Sequence, residues 1–346
     1  MALVERRQFL TGALAVGGAS LLPRPAHAKD TLVVATFPGT WSEVHRDILA
    51  PYFRKKTNAD DTQSVILATD QISKLQAARG QAPFDVSILD EGPLLDGLKL
   101  GLFDKYPVAK SKHFGDLLPP FRNEWGPCVS MQVIGLAYNP KKVKTPPTSW
   151  DDLWRPEYKG RVGLTALNSS LGMAFMAELA RLKGGSEANL EPAFQALKTL
   201  LPNVGAISAN LGAHAALIQQ GEVDLAVHNF NFIQTLKGKG VEVEWVKPST
   251  GAPAWRTSMH VVKGAQRPDL AFEYIDGHIA PEVQAEMEKA PHFVIPTNRK
   301  VALSGAIVEK VARSQDELGK LVFHDWAKIN EGRSAAMERF NREIRL

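Results

Sequence analysis

The chain has 346 residues, with 44% hydrophobic residues and a formal net charge of +4 at pH 7. A chain of this length is too long to fold around one small hydrophobic core, and it predicts two domains of ordinary size. The charge is nearly balanced, and the chain has neither a basic tract nor interleaved aromatic and basic residues, so we expect no nucleic-acid partner.

The N-terminal residues predict an export signal. Arg6 and Arg7 precede an apolar run over residues 9–22, which is too short and too rich in glycine to span a bilayer. Small residues at 26 and 28 then suit a cleavage site. We interpret residues 1–28 as a twin-arginine signal peptide, which predicts a periplasmic protein. Its removal takes away three arginines and one glutamate and leaves a charge of +2.

Strand and helix patterns alternate through the rest of the chain, which predicts an α/β architecture. The predicted strands cover residues 31–36, 63–67, 84–89, 129–138, 161–167, 223–227, 241–246 and 257–263. The predicted helices follow Ser42, open at Asp70, and cover 94–102, 169–181, 190–200, 268–278, 281–287 and much of 305–346. Ser42, Asp70 and Ser149 have side chains that favour helix N-caps. The Pro-rich turn at 139–148 and the strand at 257–263 are candidate passages between the domains.

Motifs that would require an enzyme are missing from the sequence. There is no G-x-G-x-x-G after a strand, no phosphate-binding loop, and no H-E-x-x-H, C-x-x-C or G-x-S-x-G. The nine histidines are scattered, without an i, i+4 pair. Cys128 is the only cysteine, and we expect it to be a small buried residue rather than a reactive thiol. We therefore expect no cofactor, no metal and no catalytic residue.

Several stretches carry a family resemblance in their order along the chain. They include W-S-E before a helix that ends in A-P-Y-F-R-K-K-T-N, G-L-F-D-K-Y, V-I-G-L-A-Y-N-P-K-K-V and G-E-V-D-L-A-V. The most specific is P-P-T-S-W-D-D-L-W-R-P-E-Y-K-G-R-V. Over roughly residues 30–300 the chain resembles the extracellular solute-binding proteins of ABC importers. The branch that it looks most like is the spermidine/putrescine-binding proteins.

The resemblance implies a type II periplasmic-binding-protein fold, with a ligand cleft between two lobes joined by hinge strands. Lobe 1 would comprise residues 29–137 plus 260–300, and lobe 2 residues 138–259 plus 301–346. Hinge motion would close the lobes on a small-molecule solute. The closed form would then dock on the permease subunits of an ABC importer in the inner membrane. We expect the binding protein to be a monomer.

Candidate ligand contacts follow from geometry, because ligands of such lobes meet the carboxyl ends of strands and the amino ends of helices. This rule selects nine residues: Phe37, Thr40, Trp41, Asp90, Glu91, Ser169, Ser170, Asn229 and Asn231. Three more, Trp255, Arg256 and Thr257, precede the second candidate passage and are added through the resemblance.

Most of these candidates also have a structural explanation. Trp41 can stack on a ligand or cover its own helix, and Asp90 with Glu91 can hold an ammonium group or a metal or form a solvated turn. The serines at 169 and 170 can receive an anion or cap a helix. Asn229 and Asn231 can orient a ligand or fix a turn, and His228 fits a structural role better than a ligand contact.

The residues around Trp255 set the expected charge of the ligand. Trp255 resembles a ligand-stacking tryptophan of the polyamine binders, in which an aspartate follows two residues later. This chain has Thr257 at that place, after Arg256, and it has serines at 169–170 where those proteins carry acidic residues. Arg256 can clamp an anion or be a surface arginine. We therefore expect an anionic or zwitterionic solute.

Three other hypotheses stand beside this one, and presentation of the ligand to a sensor rather than a permease is one of them. A polyamine binder with an altered cleft is the alternative within the family. A periplasmic enzyme on the same scaffold is the alternative from another class. Direct Fe(III) binding is not expected, because the ferric-ion binders of this superfamily use adjacent tyrosines, and no two of the five tyrosines here are adjacent.

Overall fold

The computed structural model describes residues 30–346. The predicted signal peptide, residues 1–28, lies outside the described residues. Within the described range, every helix is too short or too polar to span a bilayer.

Strands and helices alternate as the sequence pattern predicts. The strands are β1 (Thr31–Thr36), β2 (Asp60–Val65), β3 (Val86–Asp90), β4 (Cys128–Tyr138), β5 (Val162–Thr165), β6 (Val204–Ser208), β7 (Leu225–Asn229), β8 (Glu244–Val246), β9 (Pro253–Val261) and β10 (Val322–Phe323). The helices are α1 (Thr40–Val44), α2 (Ala50–Thr57), α3 (Ala68–Ala77), α4 (Glu91–Lys99), α5 (Ser170–Leu182), α6 (Glu191–Leu200), α7 (Leu211–Gln219), α8 (Phe230–Gly238), α9 (Pro268–His278), α10 (Pro281–Met287), α11 (Gly305–Lys310), α12 (Gln315–Leu318) and α13 (Trp326–Glu343). A π-helical turn, His45–Leu49, joins α1 to α2.

The strands form one continuous path in the order β2-β1-β3-β9-β4-β7-β5-β6, with β8 and β10 on its sides. Parallel strands β1, β2 and β3 build the first lobe, and parallel strands β5, β6 and β7 build the second. The long strand β4 joins them, because residues 128–133 pair with β9 and residues 134–138 pair with β7. The chain therefore crosses between lobes inside β4, before the Pro-rich turn at 139–148 that the sequence suggested.

Helices pack on both faces of the sheet, and their apolar side chains form three buried clusters with those of the strands. One cluster contains apolar side chains of α2, α9 and α10, which pack on the first lobe, and it extends to side chains of α8 on the second lobe. Another packs α5, α6 and α13 on the second lobe, and a third packs α3 and α4 on the first. The C-terminal helix α13 thus has its apolar side, including Trp326 and Phe340, in the core of the second lobe.

The predicted long elements are confirmed. The predicted positions of helix ends are less accurate. Helices α9 and α10 have the predicted bounds. Ser149 is confirmed as a cap: it forms a capping box with Asp152, on one 3₁₀ turn. The expected caps Ser42 and Asp70 are wrong, because α1 already begins at Thr40 and α3 at Ala68.

Elements with weak patterns were missed. The sequence analysis did not predict β6, α7 or α8, and it expected residues 305–346 to be helical without a strand. Helix α7 reads L-G-A-H-A-A-L-I-Q and is apolar around most of its surface, so it lacks a one-sided pattern. Strand β10 has two residues and exists through its pairing with β9, which is a tertiary contact.

Cys128 is confirmed as a buried residue, with 2% of its surface exposed. Its thiol donates a hydrogen bond to the Ser130 carbonyl at 2.9 Å. Burial raises the pKa of the Cys128 thiol, which keeps it protonated and unreactive.

A substitution of Gly135 tests how closely β4, the strand that joins the lobes, packs against β8. A Cβ at this position would lie 2.3 Å from the Val246 carbonyl oxygen and 2.5 Å from the Trp245 ring, both on the neighbouring strand β8. We expect Gly135→Ala to lower the free energy of unfolding by about 1–3 kcal/mol, because the added methyl group overpacks the sheet. Urea denaturation measures the change.

The matched control is Gly238→Ala, at the end of α8, where an added Cβ meets no atom within 4 Å. This control should be neutral or slightly stabilising, since alanine restricts the unfolded chain. Equal stabilities of the two variants would contradict the steric role of Gly135.

Candidate functional site

Asp90 lies at the point where the two lobes meet. It ends β3, opposite Thr257 of β9, and the Thr257 hydroxyl donates to one carboxylate oxygen at 2.9 Å. The hydroxyl of Ser170, at the start of α5 in the second lobe, donates to the other oxygen at 3.2 Å. One carboxylate therefore connects three of the predicted site residues across the cleft.

The environment of Asp90 opposes its negative charge. Burial raises the pKa of Asp90, and the hydrogen bonds from Thr257 and Ser170 offset part of this effect. Asp90 occupies the N-cap position of α4, but its side chain makes no capping bond. The alternative that Asp90 caps α4 is therefore wrong.

Glu91 and Arg256 form an ion pair within the first lobe. The Arg256 Nη1 lies 2.6 Å from Glu91 Oε1, and the Arg256 backbone N–H donates to the other oxygen at 2.9 Å. The guanidinium also stacks over the Phe323 ring at 4.1 Å. Burial raises the pKa of Glu91, and the charge of Arg256 counteracts this shift. Arg256 is thus no free surface arginine, and Glu91 neutralises its charge.

The two serines at the start of α5 have different roles. Ser169 is the N-cap, and its side chain accepts a hydrogen bond from the Gly172 N–H at 3.0 Å, which confirms the capping interpretation. Ser170 points its hydroxyl at Asp90 instead. The first N–H groups of α5 and its dipole favour a negative charge at this end of the helix.

The predicted aromatic contacts lie inside the protein. The Trp41 ring is 6% exposed and packs against His45 and His278, while Phe37 meets it edge-on. Trp255 is 1% exposed. The covering role of Trp41 is therefore evident, and stacking of either tryptophan on a ligand stays a prediction. Thr40, in the first turn of α1, is buried as well.

Asn229 and Asn231 lie where β7 runs into α8, and both are buried. The Asn229 amide donates to Gln132 Oε1 of the crossing strand β4 at 2.8 Å. His228 accepts the Asn229 backbone N–H and stacks on His214, and burial holds the pKa of His228 well below its usual value. The structural role expected for His228 agrees with these contacts.

Two residues of α13 join this region and were missed by the sequence analysis. Asn330 donates its amide to the Gly92 carbonyl of the first lobe at 2.8 Å. Arg333 donates to the carbonyl of Asn168, in the loop before α5, at 3.1 Å. No motif surrounds them, so only the tertiary packing of α13 places them beside the cleft.

A groove of about 260 Å³ runs beside α5 and along α13. Six uncharged residues line it: Ala166, Leu167, Asn168, Ala209, Met337 and Asn341. It lies at the carboxyl ends of β5 and β6, which is the edge where α/β sheets bind ligands.

The sequence profile of the bacterial extracellular solute-binding proteins matches residues 91–331. The chain belongs to this family. It is 26% identical over 309 residues to the spermidine/putrescine-binding periplasmic protein of Escherichia coli, covering 84% of each chain. It is also 26% identical over 219 residues to a γ-aminobutyric acid-binding protein of Pseudomonas aeruginosa, covering 59% of each.

Solved structures support the fold. The spermidine/putrescine ABC transporter substrate-binding protein PotD from Streptococcus pneumoniae aligns with a TM-score of 0.75 at 20% identity, covering 92% of this chain and all of that one. A periplasmic thiamin binding protein aligns with a TM-score of 0.76 at 18% identity, covering 94% of this chain and 100% of the other. The predicted two-lobe, type II periplasmic-binding-protein fold is confirmed.

The raised pKa of Asp90 gives a pH-dependent prediction. A carboxyl group whose folded-state pKa is raised stabilises the protein below its unfolded-state pKa, and this contribution is lost as the pH rises through the folded-state pKa. We expect Asp90→Asn to have a larger free energy of unfolding than the wild type at pH 7, and the difference to vanish below about pH 4. Urea denaturation at both pH values measures it.

Asp104→Asn is the matched control, because Asp104 is exposed in the same lobe. We expect it to leave stability unchanged at pH 7. A wild type more stable than Asp90→Asn at pH 7 would show that the hydrogen bonds to the carboxylate outweigh its burial.

Proposed function

We propose that this protein is the solute-binding component of an ABC importer and captures a small zwitterionic or anionic solute in the periplasm. It then presents the closed form to permease subunits in the inner membrane, as a monomer. Family membership and similarity to a spermidine/putrescine-binding periplasmic protein support this proposal. The expected bodies, residues 29–137 plus 260–300 and residues 138–259 plus 301–346, are proposed with two shifts: the first crossing lies inside β4, and β9, which pairs with β3, moves with the first lobe.

The contact between Ser170 and Asp90 carries the proposed ligand class. It places a carboxylate at the amino end of α5, within reach of a hydroxyl donor from the opposite lobe. When the lobes separate, Ser170 and the α5 amino end are free for a carboxylate, phosphonate or phosphate of the solute. The solute anion would thus replace the protein's own carboxylate at this end of the helix.

The same movement would expose Asp90 as a partner for a cationic group. Thr257, which replaces an acidic residue expected in polyamine binders, adds a hydroxyl and no charge. Glu91 is already neutralised by Arg256 at 2.6 Å. One available carboxylate can hold one ammonium group, so a zwitterion balances the site better than a diamine or triamine does.

A polyamine is the second candidate. The resemblance to a spermidine/putrescine-binding protein over 84% of both chains favours it. Against it stand the serines at 169 and 170 and the threonine at 257, which carry no negative charge. We propose binding without turnover, so the solute should be recovered unchanged from the protein.

A ligand panel tests the proposed class. We expect 4-aminobutyrate or 2-aminoethylphosphonate to raise the melting temperature by a few degrees at saturating concentration, because binding to the folded state alone stabilises it. Putrescine and spermidine should have smaller effects. Thermal-shift assays rank the compounds, calorimetry gives Kd, and mass spectrometry checks that the ligand is unchanged. Stabilisation by the polyamines alone would overturn the proposal.

A further inference from the structure

The C-terminal helix α13 connects the two lobes beside the cleft. Its Trp326, Ala336 and Phe340 side chains lie in the core of the second lobe. On another side of the helix, Asn330 donates to the Gly92 carbonyl of the first lobe and to Asp96 at 3.3 Å. A residue one turn beyond Asn330 is therefore held next to the cleft by packing on both sides.

Arg333 occupies that position. Its guanidinium is half-buried and donates one hydrogen bond, to the Asn168 carbonyl directly before the α5 cap. Burial lowers the pKa of Arg333, while the charges of Asp96 and Asp90 raise it from a distance. Within residues 30–346, Arg333 forms no ion pair.

The other cation at the cleft is already satisfied. Arg256 lies 2.6 Å from Glu91 and stacks on Phe323, so an incoming anion would have to compete with a bound carboxylate. Arg333 has remaining N–H donors, and no carboxylate among the described residues lies at ion-pair distance from it. A partly buried guanidinium without a counterion gains more from an anion than one that is already paired.

The groove beside α5 adjoins Arg333. Met337, four residues further along α13, lies on the same face of the helix and lines this groove together with Asn168. Asn168 also accepts the Arg333 hydrogen bond. An anionic group at Arg333 would therefore leave the uncharged body of a solute room along a groove of about 260 Å³.

We propose that Arg333, rather than Arg256, is the residue that selects for the anionic group of the solute, together with the amino end of α5. This inference rests on the proposed function and deepens it, since it names the cation that distinguishes a zwitterion from a diamine. A carboxylate between Arg333 and Ser170 would also draw α13 and α5 of the second lobe toward a solute held by Asp90.

Two probes of similar length and different charge test this role. Calorimetry on the full purified protein compares 4-aminobutyrate, which carries one carboxylate, with putrescine, which carries an ammonium group instead. We expect Arg333→Gln to weaken 4-aminobutyrate binding about tenfold to a hundredfold, as for the loss of a charge-assisted hydrogen bond. Putrescine binding should stay the same or tighten, because a like charge is removed.

Controls separate this role from folding. Arg342→Gln removes an exposed arginine from the same helix and should leave both affinities within twofold. Arg333→Lys keeps the charge and should recover part of the 4-aminobutyrate affinity. A change of the affinity ratio between the two probes cannot come from unfolding, which would weaken both.

The outcomes distinguish the two proposals. If the wild type binds 4-aminobutyrate and Arg333→Gln binds it within twofold of the wild type, the role of Arg333 is overturned and the ligand class stands. A wild type that binds putrescine alone overturns both the ligand class and the role of Arg333. So does a wild type that binds neither probe, because both proposals name this charge pattern.

Discussion

The long strand β4, which is shared by the two lobes, is the constraint on which the molecule depends. Its residues 128–133 pair with β9, which pairs with β3 of the first lobe, and its residues 134–138 pair with β7 of the second. The carboxyl ends of the parallel strands of each lobe therefore face the same gap, and Asp90 and Ser170 meet there although 80 residues separate them. Relative motion of the lobes must bend or twist β4 near residues 133 and 134, so the close contact of Gly135 with β8 lies next to the point that moves.

The charges at the cleft are arranged so that the protein satisfies most of them itself. Glu91 is paired with Arg256, and Asp90 takes its donors from Thr257 and Ser170. Buried carboxylates held by hydroxyl donors remain costly to ionise, so they favour a cation that can replace those donors. Arg333 is the opposite case, a cation that makes no direct ion pair within residues 30–346 and interacts with Asp96 and Asp90 only from a distance. The proposal of a zwitterionic solute rests on these two kinds of incomplete pairing, one of each sign.

The sequence predicted the architecture because its long elements carry strong periodic signals and its motifs occur in family order. It also predicted the residues of the cleft that end a strand or begin a helix, such as Asp90 and Ser170, since strand ends of an α/β sheet converge on one edge. It could not predict that Arg256 would be engaged by Glu91, because that contact depends on the register between β3 and β9. Arg333 was missed for a related reason: its helix is ordinary in pattern, and only tertiary packing brings its middle turn to the cleft.

The buried thiol of Cys128 has a practical consequence. It is the only cysteine of the chain, it is 2% exposed, and its burial keeps it in the unreactive protonated form. A cysteine introduced on the rim of the first lobe, for example at Leu67, which is 49% exposed, would then be the only accessible thiol among the described residues. The native chain is thus already suited to carry a single fluorescent dye at a chosen position, without prior removal of its own cysteine, and lobe movement could be followed optically in solution.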